Sequence, residues 1–282
     1  MRRVLLLAAL LVLNAVPAQA ADLGTASRYL AASLDSRGCA HEPGGIASAN
    51  LSAWVALGLV SAGRDASRPA ECIEAHSRDL RRLTDVEICV LGLVAAGRDP
   101  RRAGGRDLVA VVRGAYRNGR FGTLVAENQF GILALRAARE PIPAAARRTL
   151  LADRTADGGW PVAPGADTDS NLTASGIAAA VAAGIAPADP VIARAIAALR
   201  PFRAGGAYAL TAGGPADAQS TSWVLSGLVA AQRPDAAAAR WLSGLQSADG
   251  AFAYQRGVRV TPVWVTAQAT MGLADRTFPV RP

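Results

Sequence analysis

The motif DGGW at Asp157–Trp160, the acidic run Asp167-Thr168-Asp169-Ser170-Asn171 and the small-residue stretch LTASGIAAAVAAG from Leu172 to Gly184 decide how this chain is read. A glycine-rich turn closes one helix and Asn171 stands near the start of the next, so the stretch is the middle of a helical hairpin. Weaker copies of the same plan lie on both sides of it. Aligning the second helix of each copy gives ANLSAWVALGLVSAGRD from Ala49, TDVEICVLGLVAAGRD from Thr84 and AENQFGILALRAARE from Ala126. Three more follow: SNLTASGIAAAVAAG from Ser170, QSTSWVLSGLVAAQR from Gln219 and RVTPVWVTAQATMGL from Arg259. Each is a run of helix formers and small apolar residues stopped by Gly, Arg-Asp or Pro.

A first helix is expected before each of these, over Ala26 to Leu34, Ala70 to Leu80, Leu108 to Tyr116, Ala144 to Ala152, Pro190 to Leu199 and Asp235 to Leu245. Glycine turns at Gly38, Gly119, Gly158-Gly159, Gly205-Gly206 and Gly250 join the partners in every unit but the second. Matched positions recur every ~34 to 48 residues, a spacing that predicts an all-α array of helical hairpins. The second helices are apolar nearly all round, which does not suit an open superhelix with a solvated concave face. The expected fold is therefore a closed, double-layered (α/α)6 toroid, with one helix of each hairpin inside and one outside.

Asp157-Gly158-Gly159-Trp160 and Gln246-Ser247-Ala248-Asp249-Gly250-Ala251-Phe252 resemble the QxxDGxW/F repeat of the terpenoid cyclase and protein prenyltransferase superfamily, with Arg154 in place of the Gln in the first copy. The segments DTDSNLTASGIAAAVAAG and DAQSTSWVLSGLVAAQ are similar to the SD-x-TA-x-ALLAL segment of the same repeats. The resemblance covers nearly the whole chain after its first residues and implies a toroid with a central cavity. Class II cyclases of that superfamily protonate an alkene with an Asp of a DxDD motif, since a carboxylic acid in a dry cavity keeps its proton and donates it usefully. Here Asp167 and Asp169 match the first two acids, and Ser170 replaces the last. Prenyltransferases use a zinc held by Asp, Cys and His, and no His follows His76. Secreted cobalamin carriers of this fold add a small β-domain, which the sequence lacks after the sixth hairpin. Secreted (α/α)6 glycosidases need two carboxyls across a groove; Asp167 with Asp217 or Glu127 is the pair available.

Alignment of the inner helices puts Trp54, Phe130, Trp223 and Trp264 at one level, completed by Ile88 and Ser175. Two readings stand: an aromatic belt able to stack on a flat or isoprenoid ligand, or rings that fill the wall between neighbouring helices. Asp169 and Asp217 fall at equivalent places just before their inner helices, with Glu127 and Asp85 close by in theirs. Acids there cap free N–H groups and meet the positive end of the helix dipole. The sharper reading is a ring of acids at one mouth of the cavity, in which Asp167 and Asp169 share a proton.

The chain has 51% hydrophobic and 18% charged residues, enough for a large core, and its net charge of +8 is carried by arginine alone. The arginines are spread along the chain, so no nucleic-acid partner is expected. Arg2-Arg3, the apolar run from Val4 to Val16 and Ala18-Gln19-Ala20 read as a secretory signal peptide cleaved near Ala20, which leaves one exported toroid domain over residues 21–282. No later stretch is long and apolar enough to span a membrane. Among the three cysteines, Cys72 with Cys89 is the favoured disulfide, because the two lie at one level of an antiparallel hairpin; Cys39 with Cys72 competes. No metal or cofactor is expected. The sequence reading is non-catalytic binding of an apolar or macrocyclic small molecule, or of an envelope protein. The alternative is a class II cyclase or isomerase with Asp169 as general acid, and a secreted glycan-active enzyme is the minor alternative.

Overall fold

The computed structural model describes residues 21–281, so the expected signal peptide lies outside the described residues. Among the described residues, twelve α-helices alternate between two layers. The inner layer is α2 (Ala49–Ser61), α4 (Leu83–Ala95), α6 (Val125–Ala137), α8 (Ser170–Ala182), α10 (Ala218–Ala230) and α12 (Pro262–Leu273). Each inner helix packs on the next and α12 returns to α2, which closes the ring. The outer layer is α1 (Leu23–Ala32), α3 (Ser67–Ala75), α5 (Leu108–Gly114), α7 (Ala144–Ala152), α9 (Pro190–Ala198) and α11 (Ala236–Ser243). Outer helices bury a single stripe, as α9 does with Ile192, Ala195 and Ala198, whereas inner helices are buried nearly all round. That difference is the one the two hydrophobic patterns dictate. The toroid expected from the sequence is the fold observed.

Small residues let the inner helices approach closely. A Cβ added at Gly92 of α4 would stand 2.9 Å from the Cα of Ala53 on α2, and one at Gly227 of α10 would stand 2.7 Å from the carbonyl oxygen of Ala174 on α8. Ring closure joins the first and last hairpins directly. Glu42 accepts hydrogen bonds from the Val263 and Trp264 N–H groups, both at 2.9 Å, and so caps α12. Gln246 accepts from the Asp22 N–H and donates to the Asp22 carbonyl, both at 2.8 Å.

The DGxW-type turns anchor each outer segment to its inner helix. The Trp160 N–H donates to Thr173 Oγ1 at 3.0 Å, Tyr208 to Thr221 at 3.1 Å and Phe252 to Thr266 at 2.9 Å. Phe121 donates in the same way to Asn128 Oδ1, and Ala40 to Ser52 Oγ. Three of these turns are two-stranded ribbons: β1 (Tyr116–Arg117) with β2 (Arg120–Phe121), β3 (Trp160–Pro161) with β4 (Thr168–Asp169), and β5 (Arg203–Ala204) with β6 (Ala207–Tyr208). The second hairpin, which lacks a glycine turn, uses a short 3-10 turn at Ser77–Asp79.

The favoured disulfide is corrected. Cys39 bonds Cys72 across a Cα–Cα distance of 5.1 Å, and Cys89 is a buried free thiol. Sitting level with Cys72 was not sufficient, because α4 turns Cys89 toward α2, where its sulfur lies 3.7 Å from the Ala49 carbonyl. Among the described residues no helix is long and apolar enough to cross a membrane.

Candidate functional site

The inner helices begin at one mouth of the toroid, and their first turns enclose a funnel of about 310 Å³. Its rim is polar. Arg82 makes a two-pronged ion pair with Asp85, through Nε at 2.9 Å and Nη2 at 3.2 Å, and Asn50 Nδ2 donates to Asp85 Oδ1 at 2.8 Å. Asn171 and Gln219 complete the polar lining. Deeper, Trp54, Ile88, Phe130, Leu172 and Trp223 make an apolar floor. Trp54, Phe130 and Trp223 come from alternate inner helices and meet edge to face across the lumen: Trp54 and Trp223 centroids are 5.6 Å apart, and Phe130 and Trp223 5.8 Å. Such edge-to-face contacts suit the ring quadrupoles.

Trp264 lines the same funnel but not at the expected level. The anchoring bond of α12 goes to Thr266, so this helix is set one turn later than the alignment of Trp264 with Trp54 requires. The residue equivalent to Trp54 is Gln268, two after the anchor, as Trp223 follows Thr221. Trp264 therefore sits one turn nearer the mouth and is 37% exposed. Gln268 is buried, and neither its Oε1 nor its Nε2 has a hydrogen-bond partner.

Of the five acids singled out in the sequence, Asp85 is on the funnel rim and the other four stand apart from its lining. Asp169 is the N-cap of α8 and accepts from the Leu172 N–H at 2.8 Å; burial pushes its carboxyl up against that bond's opposing effect. Asp217 caps α10 in the same way through Ser220 and is also raised by burial. Glu127 accepts from the Thr123 and Leu124 N–H groups ahead of α6. Asp167 is exposed on the β3–β4 loop, beside an outer groove it shares with Asp157 and Thr168. Asp167 and Asp169 make no hydrogen bond to each other; Asp169, Asp217 and Glu127 are each occupied with backbone N–H groups at a helix start.

One further acid has no such duty. Glu87 lies on α4 next to Ile88 of the funnel floor, is fully buried, and has no hydrogen-bond partner for either carboxylate oxygen. Burial, reinforced by the charge of Glu127, holds its carboxyl well above its ordinary value of 4.5. A carboxyl in that state keeps its proton. Its signal was in the sequence: a lone acid in the apolar run VEICVLGLVAAG. Among the described residues, the grouping of side chains close enough to share a metal ion is Cys39, Cys72 and His76, and its two sulfurs are bonded to each other.

No protein-family model matches the chain, and no curated protein matches it by sequence. Solved structures match it by fold. The type II terpene cyclase MstE from Scytonema, in complex with geranylgeranyl dihydroxybenzoate, superposes with a TM-score of 0.69 at 16% identity over 90% of this chain and 95% of that one. The ent-copalyl diphosphate synthase from Streptomyces platensis matches with a TM-score of 0.56 at 16% identity, over 82% of this chain and 52% of its own. The α-1,6-mannanase GH76A of Salegentibacter matches with a TM-score of 0.59 at 10% identity, over 91% and 99% of the two chains. The chain shares its α/α toroid fold with all three.

Proposed function

We propose that this chain takes the apolar end of an isoprenoid-like substrate into its funnel and rearranges it by acid-initiated cyclisation. The observation that carries the reading is the aromatic floor, in which Trp54, Phe130 and Trp223 converge on the axis of a terpene-cyclase-type toroid. Apolar surface leaving water there contributes roughly 25 cal/mol per Å². Ring faces also stabilise the positive charge that forms as an isoprenoid closes. The rim of Arg82, Asp85 and Asn50 keeps the polar end of such a substrate at the mouth. Binding alone, the first reading of the sequence, has no separate observation in its favour. The mannanase-type reading lacks a pair of carboxyls facing each other across the funnel.

Protonating an alkene requires a carboxyl that is still protonated in dry surroundings. Asp169, the acid expected from the sequence, has one oxygen held by the Leu172 N–H, a bond that favours its charged form. Glu87 has no hydrogen bond favouring its charged form, and it directly precedes the floor residue Ile88 in α4. Glu87 is therefore the proposed proton donor. One proton is gained at the terminal alkene and one is lost from the last cation, so the product is an isomer of the substrate.

Incubation with a geranylgeranyl-bearing aromatic acid, analysed by gas chromatography and mass spectrometry, tests the reading. The expected outcome is a product of unchanged mass with fewer alkenes, absent with Glu87→Gln and present with Asp169→Asn. Loss with Asp169→Asn alone would return the role to Asp169. Neither product nor binding with the unaltered protein would remove the proposal.

A further inference from the structure

Beyond α12 the chain turns back into the toroid. Phe278 is buried, and its ring lies 5.7 Å from Trp223, 6.1 Å from Trp54 and 6.1 Å from Phe130, at the point where those rings converge. Leu273 ends α12 at the far face of the toroid, five residues past Gln268, which is about 7–8 Å at the helical rise per residue. The segment from Ala274 to Phe278 spans that rise easily, since an extended chain advances about 3.3 Å per residue. Val280 is buried as well, and Arg281 donates to the carbonyl of Arg136 near the end of α6. The tail therefore enters the lumen from the face opposite the funnel, touches the aromatic floor with Phe278, and returns to the far rim.

The lumen changes character at this level. Ser226 follows Trp223 by one turn and Ser61 follows Trp54 by two, on the same helix stripes, and the hydroxyls of both are buried without partners, as is that of Thr277 in the tail. Above Phe278 the lining is aromatic; below it are orphaned polar groups. An apolar chain entering from the funnel gains nothing by passing that boundary, and Phe278 stands on it.

We infer that Phe278 is the depth stop of the funnel from behind its floor: packed under Trp54, Phe130 and Trp223, it holds those rings at the depth that sets how long an apolar chain the site accepts. This inference rests on the function proposed above. It concerns chain length rather than chemistry, so binding alone tests it. Geraniol, farnesol and geranylgeraniol are titrated into the unaltered protein, Phe278→Ala and Phe278→Trp, with tryptophan fluorescence as readout and thermal melting as the check on folding. In the unaltered protein affinity rises with chain length to a plateau. Phe278→Ala moves the plateau to a longer alcohol, with at least about tenfold tighter binding of the first homologue beyond the original limit, by the discrimination apolar pockets show for added methylenes. Phe278→Trp moves it to a shorter one. If Phe278→Ala does not fold, Phe278→Leu, which keeps most of the buried volume, is judged by the same shift. Binding with the same length preference in all variants overturns the depth stop and leaves the proposed function standing. Binding by none of them overturns both.

Discussion

Glu87 carries a consequence that needs no substrate. Its folded-state carboxyl titrates above the unfolded value of 4.5, so between those two pH values the folded protein holds a proton that the unfolded chain has released. Stability is then fullest below the unfolded value, falls as pH rises through the window, and is level above the folded value. Glu87→Gln removes that dependence. Thermal melts at pH 5 and pH 8 should show the unaltered protein losing more of its melting temperature between them than Glu87→Gln, with the variant the more stable at pH 8. Equal pH dependence in the two proteins would contradict a buried, unpaired carboxyl. Glu87 is legible as an acid in an apolar run, whereas the acids at helix starts form the more regular pattern, which capping explains. Phe278 had no signal at all, because it belongs to no periodic segment and its partners come from three different helices.

Among the elements, the inner helices were readable because an apolar run of about four turns with a defined stop is a strong local pattern. The ribbons were not, since two-residue strands show no alternation. The register of α12 does not follow from setting Trp264 level with Trp54, because the event that recurs along the ring is the turn N–H accepted by a Thr, Asn or Ser of the inner helix. That bond is testable. Thr173→Val keeps the shape and leaves the buried Trp160 N–H unpaired, which should cost about 1–3 kcal/mol in denaturant unfolding. The disulfide gives a second test. Cys39 and Cys72 are separated by 33 residues, and replacing both with Ala should cost roughly 3–4 kcal/mol by loop-closure entropy. Cys89→Ala leaves that loop closed, and mapping after partial reduction should find Cys89 unpaired.

At the scale of the molecule, closure was readable from inner helices that are apolar on every side, because only a ring supplies each with neighbours all round. The clasp was not. Glu42 and Gln246 bond to residues more than two hundred positions away, and nothing local marks them. Glu42→Ala removes the cap of α12 at the seam and should lower stability by about 0.5–2 kcal/mol; circular dichroism melts should show this as a shift of one cooperative transition. An open array would instead fray from its ends. Closure also makes the funnel, since its floor needs side chains from α2, α6 and α10 at one depth. The most direct test of the account is therefore a crystal structure of the protein soaked with geranylgeranyl dihydroxybenzoate. The account predicts the isoprenoid chain in the funnel, its apolar end against Trp54, Phe130 and Trp223 and its polar end at Arg82 and Asn50. A chain bound in the outer groove beside Asp157 and Thr168, with the funnel unfilled, would contradict it.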